Sequence, residues 1–325
     1  MCKPEKLGTF RLTDNFLKPF ADILNEKENL IIIPFGSSHI LPFHVLKWKN
    51  KHLIETHTIS YLPSASALQF LRHKDDVIQH KRILAIGNPK NMVYYPSFSA
   101  QPENMVPLPA AQIEASFVTS LYPKSKGLLY DNATKENILK YIEEYPLVHF
   151  ATHGHLSQES PLLSSILLAN GESLNVYELM SLQLNTELVV LSACKTGLGE
   201  TTRGDDVLGL TRGLLGAGAR NVVVSLWQVN DIPTSLLMGQ FYNQLHSGKT
   251  PAAALQIAQN YILGLGMVEK KIDIHLLLTE LKKLGADKKI LDAVGKSRDA
   301  NYIKYRGKLK NYAHPFFWAP FILIG

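Results

Sequence analysis

Cysteine is scarce in this chain. Only two occur in 325 residues, Cys2 and Cys194, which excludes a disulfide framework and a zinc site built from several cysteines. The sequence also lacks a signal-peptide pattern and an apolar run long enough to cross a membrane. These absences predict a protein of the reducing cytoplasm with no membrane partner.

Internal repeats and nucleotide-binding motifs are also absent. No segment recurs with a period of about 20 to 50 residues, which argues against a solenoid. The glycines after Cys194, in residues 196–204 (TGLGETTRG), match neither the P-loop pattern nor the dinucleotide-binding pattern. A nucleotide site is therefore not expected.

Excess positive charge is concentrated in one late segment. The formal net charge is +6, and lysines cluster in residues 264–310 with acidic residues interleaved. The periodic Leu and Ile of this segment predict two solvated helices inserted as a satellite. Because the charge does not line a groove, we do not expect nucleic acid to bind directly.

Short apolar runs alternate with helical patterns along the whole chain. With 46% hydrophobic and 19% charged residues, the composition is that of a globular domain with a sizeable core. The alternation predicts an α/β fold with a mostly parallel six-stranded sheet and helices on both faces. The predicted strands end near Ile33, Ile86, Ala151, Ala193, Leu226 and Ile324.

Two of these strands end in reactive side chains. Residues 187–200 read ELVVLSACKTGLGE, an apolar run that stops in a turn of small residues carrying Cys194. Residues 147–155 read LVHFATHGH, a strand that runs out at His153. Since chemistry collects beyond the carboxyl ends of strands in an open α/β sheet, we expect the two strands to bring His153 and Cys194 together.

A thiol protease needs a thiolate, a neighbouring imidazole and backbone N–H donors for the oxyanion. The sequence offers Cys194, His153 and the amides of Gly154 and Cys194. Alternatively, Cys194 is a small core residue, as free cysteines often are. The small residues around it favour the protease interpretation, because they let a substrate backbone approach.

A metal site is the other interpretation of this region. His149, His153 and His155 alternate along one strand and are similar to the opening of the H-x-H-x-D-H motif of metal hydrolases. The aspartate and the next histidine of that motif are missing after His155. We therefore expect neither a metal ion nor another cofactor.

An ordered set of motifs spans nearly the whole chain: IPFGSSHILPFHVL and ISYLPSASAL in the first half, then HFATHG, ELVVLSACKTGLG, GAGARNVVVSLWQVND, FYNQL, PAAALQIAQ and HPFFWAPFILIG. This set resembles the CHAT domain, a caspase-like cysteine peptidase family related to separase. The resemblance implies a caspase-hemoglobinase-like fold and a single domain over residues 1–325. Within it, residues 1–125 would form the N-terminal half and residues 126–325 the catalytic half, with the basic helical insert at residues 264–310.

The same resemblance implies roles for particular residues. His153 and Cys194 would be the catalytic dyad, and Gly154 with Cys194 would form the oxyanion hole. The loop at residues 35–39 and the end of the strand after the cysteine would shape the substrate pocket, the latter through Trp227, Gln228 and Asp231. Lys195 stands where the family usually has an acidic residue, which would alter substrate preference.

These features predict a regulated cysteine endopeptidase that cleaves protein substrates. Family members suggest the effector of a bacterial sensing or antiviral defence system, controlled by a sensor or a repeat-containing partner. The alternative is a catalytically degenerate caspase-like scaffold that binds partners without cutting them. A metal-dependent hydrolase is the third class.

Overall fold

The computed structural model describes residues 16–71, 78, 82–95, 101–155, 157, 160–192, 194–195, 204–227, 229, 231–267, 274–286, 288, 291–292 and 312–325. The strands in this part of the chain are β1 (Asn29–Ile32), β2 (Lys47–Trp48), β3 (Lys51–His52), β4 (Thr58–Tyr61), β5 (Ile83–Pro89), β6 (Val93–Tyr94), β7 (Glu103–Asn104), β8 (Lys126–Tyr130), β9 (Leu147–Ala151), β10 (His153–His155), β11 (Ser165–Leu167), β12 (Ser173–Asn175), β13 (Leu188–Leu191), β14 (Cys194–Lys195), β15 (Val222–Ser225) and β16 (Phe321–Ile324). The helices are α1 (Ala21–Glu26), α2 (Leu53–Thr56), α3 (Leu68–Leu71), α4 (Pro109–Leu121), α5 (Lys135–Tyr141), α6 (Val176–Met180), α7 (Gly204–Gly216), α8 (Asp231–His246), α9 (Pro251–Met267), α10 (Ile274–Lys283) and α11 (Pro315–Trp318).

Eight strands form the central sheet in the order β1-β4-β16-β15-β13-β9-β5-β8. Neighbouring strands are parallel throughout except for β15 and β16, which are antiparallel. The prediction of a mainly parallel sheet is confirmed. The sheet has two strands more than the six predicted, namely β4 and β8.

Both faces of the sheet are covered. Every residue of β5, β9, β13 and β15 is buried, and side chains alternate between the two faces of a strand. The helices α4, α8 and α9 pack together as one group, whereas α7 contacts α6 and β15. Gly87 allows α4 to lie close to β5, since a Cβ there would be 2.5 Å from the Cβ of Ala115.

The one antiparallel pair divides the sheet into two blocks of opposite direction. The strands β5, β8, β9, β13 and β15 end at one side of the sheet, and β1, β4 and β16 end at the other. The loop at residues 35–39 follows β1, and His39 borders a small cavity with Tyr61 and Ile324. The prediction that this loop shapes the substrate pocket is therefore wrong, because it lies at the opposite end of the sheet from His153.

The lysine-rich segment begins later than predicted and is not wholly a satellite. Helix α9 continues to Met267, and α10 packs on α8 with Leu277 and Leu281 buried in the core. The expectation of helices that pack only on themselves is therefore wrong for α10. The second predicted helix lies largely outside the described residues.

The chain leaves α9 and returns to the core at almost the same place. A Cβ at Gly266 would lie 1.8 Å from the backbone nitrogen of Ala313, so the two ends of the segment are in contact. No helix in the described ranges has both the length and the apolar character to cross a bilayer.

Candidate active site

The two chemically distinctive residues lie on short extensions of neighbouring strands. The strands β9 and β13 are parallel neighbours, and beyond their carboxyl ends β10 and β14 pair in parallel as well. In this pairing His153 lies opposite Cys194, and Gly154 lies opposite Lys195. Because adjacent strands are about 4.8 Å apart, the backbones of His153 and Cys194 are direct neighbours.

A small second sheet holds this extension in place. Its order is β12-β11-β10-β14, so β10 lies between two other strands. Gly154 pairs with Ile166 on the side away from β14. At the junction between β9 and β10, the buried Thr152 hydroxyl donates a hydrogen bond of 2.7 Å to the carbonyl of Leu167. The direction in which His153 leaves the central sheet is therefore fixed.

The His153 side chain is buried, with 7% of its surface exposed. Its Nε2 lies 2.8 Å from the carbonyl oxygen of Val106. A carbonyl can only accept a hydrogen bond, so Nε2 carries the hydrogen and Nδ1 of the neutral ring has the lone pair. Nδ1 is buried and has no hydrogen-bond partner among the described residues.

Burial lowers the pKa of His153 below its ordinary value of 6.5, and the hydrogen bond to Val106 partly opposes this shift. Burial acts by disfavouring the charged imidazolium. At neutral pH the ring is therefore the free base, the form that accepts a proton.

The Val106 carbonyl is itself held in place. Leu108 follows Val106 by two residues, and its N–H donates a 2.8 Å hydrogen bond to Oδ1 of Asn88. Asn88 is in β5, next to β9, and has the left-handed φ of 47° that asparagine tolerates. On the other side, the Met105 N–H donates to the carbonyl of Met92 at 2.9 Å. The end of β5 thus sets the position of the carbonyl that orients His153.

The predicted substrate-binding residues lie after β15, which ends on the same side of the sheet as His153. Trp227 is 8% exposed, and its indole Nε1 donates to the carbonyl of Phe316 at 3.1 Å. Asp231 is the first residue of α8, and Gln228 lies outside the described residues. Direct contact of these residues with substrate stays a prediction.

The three histidines predicted to share one strand face have different partners. His149 lies within reach of Glu114 and Tyr242, whereas the ring of His155 packs 4.6 Å from that of Tyr94. Across the ranges that the structure describes, no group of three His, Cys, Asp or Glu side chains is placed to hold a metal ion.

Sequence reasoning missed two residues of this region. Val106 contributes only a backbone carbonyl, for which no residue type is a signal. Glu114 was visible only as part of a helix. The available signal was its place in the run AAQIEASFV, where it is the only charged residue of the helix.

A family model matches most of the chain. Residues 10–325 match the CHAT domain. Tetratricopeptide repeat protein 28 of Homo sapiens is 28% identical over 279 residues, and its Mus musculus counterpart is 27% identical. Each alignment covers 72% of this chain and 11% of the relative, so the chain spans about a tenth of the length of these curated proteins.

Two solved structures are similar at low sequence identity. The first is the Saccharomyces cerevisiae separase–securin complex, at 15% sequence identity and a TM-score of 0.46. The superposition covers 71% of this chain and 14% of the matched chain in that complex. The second is the Arg specific cysteine proteinase gingipain R, at 13% sequence identity and a TM-score of 0.48. The superposition covers 98% of this chain and 68% of the gingipain chain. Since the family match extends over nearly the whole sequence, the chain belongs to the CHAT domain family.

Proposed function

We propose that this chain is a cysteine endopeptidase in which Cys194 is the nucleophile and His153 is the general base. The observation that carries the proposal is the state of His153. Its Nε2–H is committed to the Val106 carbonyl, which leaves Nδ1 as the basic nitrogen on the residue paired with Cys194. Family membership supports the same chemistry.

The reaction proceeds in two acyl-transfer steps. Nδ1 of His153 takes the thiol proton as Cys194 Sγ bonds to the scissile carbonyl carbon. The C–N bond then breaks, and the amine leaves with the proton from Nδ1. Water next attacks the thioester and gives a proton to Nδ1. The C–S bond then breaks to release the carboxyl product, and Sγ takes the proton back from Nδ1. A thiolate forms easily enough that the pair needs no third side chain.

The Val106 carbonyl stabilises the intermediate imidazolium. An Nε2–H donor becomes a stronger donor when the ring is charged, so this hydrogen bond strengthens as Nδ1 accepts the thiol proton. Burial alone would make the charged ring costly in free energy. The opposing effects leave a base that is neutral at rest and is still able to take a proton.

The remaining parts of the site follow from the strand ends. The N–H groups of Gly154 and Cys194 would bind the oxyanion, because they belong to the paired extensions β10 and β14. In the segment that follows β15, Trp227, Gln228 and Asp231 would contact the peptide substrate. No metal ion or cofactor takes part in this scheme.

Regulation by a partner is the second part of the proposal. The matched relatives are named for tetratricopeptide repeats, and the aligned region is only 11% of their length. We infer that a sensor or repeat-containing partner controls the peptidase, which would act in the cytoplasm as an effector of a sensing or defence system. The alternative, a scaffold that binds partners without cutting, is favoured by the deep burial of His153.

Cleavage can be tested without a known substrate. Wild type, Cys194→Ala and His153→Ala are incubated with a cell lysate, with and without a repeat-containing partner, and new protein N-termini are identified. We expect new N-termini with wild type and none with Cys194→Ala, since the nucleophile is lost. Identical fragment patterns from wild type and Cys194→Ala would favour the scaffold.

A further inference from the structure

A buried polar cluster lies beneath the site and has no part in the proposed reaction. Oε1 of Glu114 in α4 is 2.9 Å from Nε2 of His149 in β9. The two atoms are at ion-pair distance but are not aligned as a hydrogen bond. On the other side of the ring, His149 Nδ1 lies 3.1 Å from the hydroxyl of Tyr242 in α8.

The cluster also reaches the beginning of α8. The Ser235 hydroxyl lies 3.2 Å from Oε2 of Glu114 and 3.0 Å from the carbonyl of Ala110, both of which accept from it. The cluster therefore joins α4, α8 and β9. Of these elements, α8 begins at Asp231, directly after the proposed substrate-binding segment.

Stability alone does not explain these groups. Glu114 is 2% exposed, and His149 and Tyr242 are fully buried. Burial raises the pKa of Tyr242 well above its ordinary value, and the nearby Glu114 charge adds to this effect. Replacing a buried ion pair by apolar residues of similar volume often leaves a protein equally stable. A positioning role accounts for the cluster better than a gain in stability does.

Two contacts join the same two segments of the chain. The Val106 carbonyl accepts a hydrogen bond from His153, and Glu114 contacts His149. Glu114 lies eight residues after Val106, and His149 lies four residues before His153. Helix α4 begins three residues after Val106. Because only two residues separate Val106 from α4, we expect a displacement of α4 along β9 to strain the Leu108–Asn88 hydrogen bond and to move the Val106 carbonyl relative to His153 Nε2.

We propose that Glu114 is a positioning residue, which holds α4 against β9 through His149 so that the Val106 carbonyl fixes the ring of His153. This inference rests on the proposed role of His153 as general base. The required precision is high, because a misplacement of about 1 Å can lower a rate by about a hundredfold.

Three variants test the proposal in the full chain. Glu114→Leu keeps the volume but removes the charge and the acceptor, whereas Glu114→Gln keeps an acceptor that faces His149. Glu280→Leu is the matched control, since Glu280 is also a buried helical glutamate but pairs with Lys283 in α10. If Glu114→Leu does not fold, Tyr242→Phe removes a hydroxyl from the same cluster without changing its packing.

The direct readout is the tautomer and titration of the ¹⁵N-labelled His153 imidazole, assigned by its loss in His153→Gln. In wild type, Glu114→Gln and Glu280→Leu we expect the Nε2–H form. In Glu114→Leu, or more weakly in Tyr242→Phe, we expect a mixture of tautomers. The titration should also move to lower pH, because the hydrogen bond that raises the His153 pKa is lost.

The kinetic readout separates positioning from folding. We expect Glu114→Leu to lower kcat about 10- to 100-fold with little change in KM, and Glu114→Gln to stay within about threefold of wild type. A folded Glu114→Leu with the tautomer, titration and kcat of wild type would overturn the proposal. A wild type that shows the Nε2–H form but cleaves nothing would instead contradict the peptidase function.

Discussion

Two buried histidines, His44 and His153, lie next to the two oppositely directed blocks of the sheet and differ in their hydrogen bonds. His44 packs against the block of β1, β4 and β16 and uses both ring nitrogens. Its Nε2 lies 3.1 Å from the carbonyl of Ala319, and its Nδ1 lies 3.4 Å from the Tyr61 hydroxyl. His153 extends from the other block, and only its Nε2 is bonded within the described part of the chain.

The hydrogen bonds around His44 form a continuous series in which each donor has an acceptor. The Phe43 N–H donates to the Tyr61 hydroxyl at 3.0 Å, so that hydroxyl directs its own hydrogen to Nδ1 of His44. Nε2–H then donates to the carbonyl of Ala319, which lies two residues before the start of β16. A ring satisfied at both nitrogens joins segments together, whereas a ring with a lone pair to spare is suited to proton transfer.

The largest expected effect is a separation of activity from stability between these two histidines. His153→Ala should lower kcat/KM at least about a thousandfold, because the nucleophile and its base act as one unit. His44→Ala should lower the free energy of unfolding by about 3 kcal/mol, through a cavity and an unpaired carbonyl. Cleavage assays and denaturant unfolding of both variants measure the two effects.

Each variant serves as the control for the other. His153→Ala should retain a cooperative unfolding transition and lose less stability than His44→Ala, because only one of its ring nitrogens is hydrogen-bonded. His44→Ala should still cleave at low denaturant. Equal loss of activity in both variants, with both still folded, would mean that the number of bonded ring nitrogens does not distinguish the two roles.

An effect smaller than the roughly thousandfold loss of activity, and comparable to the stability loss of His44→Ala, is expected from pH. Burial lowers the pKa of His44 to about 4, against the opposing effect of its hydrogen bond to the Ala319 carbonyl. The unfolded chain therefore binds a proton between about pH 6.5 and 4 that the folded chain does not, so stability falls as the pH falls through this range. The full contribution is about 3 kcal/mol.

Unfolding free energies at pH 7 and pH 4 measure this dependence. A His44→Gln variant has no such titration and should lose less stability over the same range. If wild type and His44→Gln lose the same amount, the ring of His44 is charged or mobile in the folded state and the comparison with His153 fails.

The sequence indicated the strands β9 and β13, which lead to His153 and Cys194, because their signals are local. The runs LVHFA and LVVL are apolar except for His149 and end in small or polar residues, so both the strand and its end are visible. The strand β8 was missed because it is an edge strand in which only Leu128 is buried. Its pattern therefore lacks the apolar run of a central strand.

The direction of the second block could not be predicted from sequence. The residues FILI of β16 fit a parallel or an antiparallel neighbour equally well, and the lysine-rich segment before them allows either path. For this reason the loop at residues 35–39 was expected at the wrong end of the sheet. The contact of Glu114 with His149 was likewise invisible, because it depends on how α4 lies on β9.

The most direct test of the central claim is the alkylation rate of Cys194 in wild type and in His153→Ala, followed at each cysteine by mass spectrometry. Cys2 is the only other cysteine in the sequence and serves as an internal reference. If His153 accepts the Cys194 proton, the rate ratio of Cys194 to Cys2 at neutral pH should fall at least about tenfold in His153→Ala. An unchanged ratio in the folded variant would contradict the account.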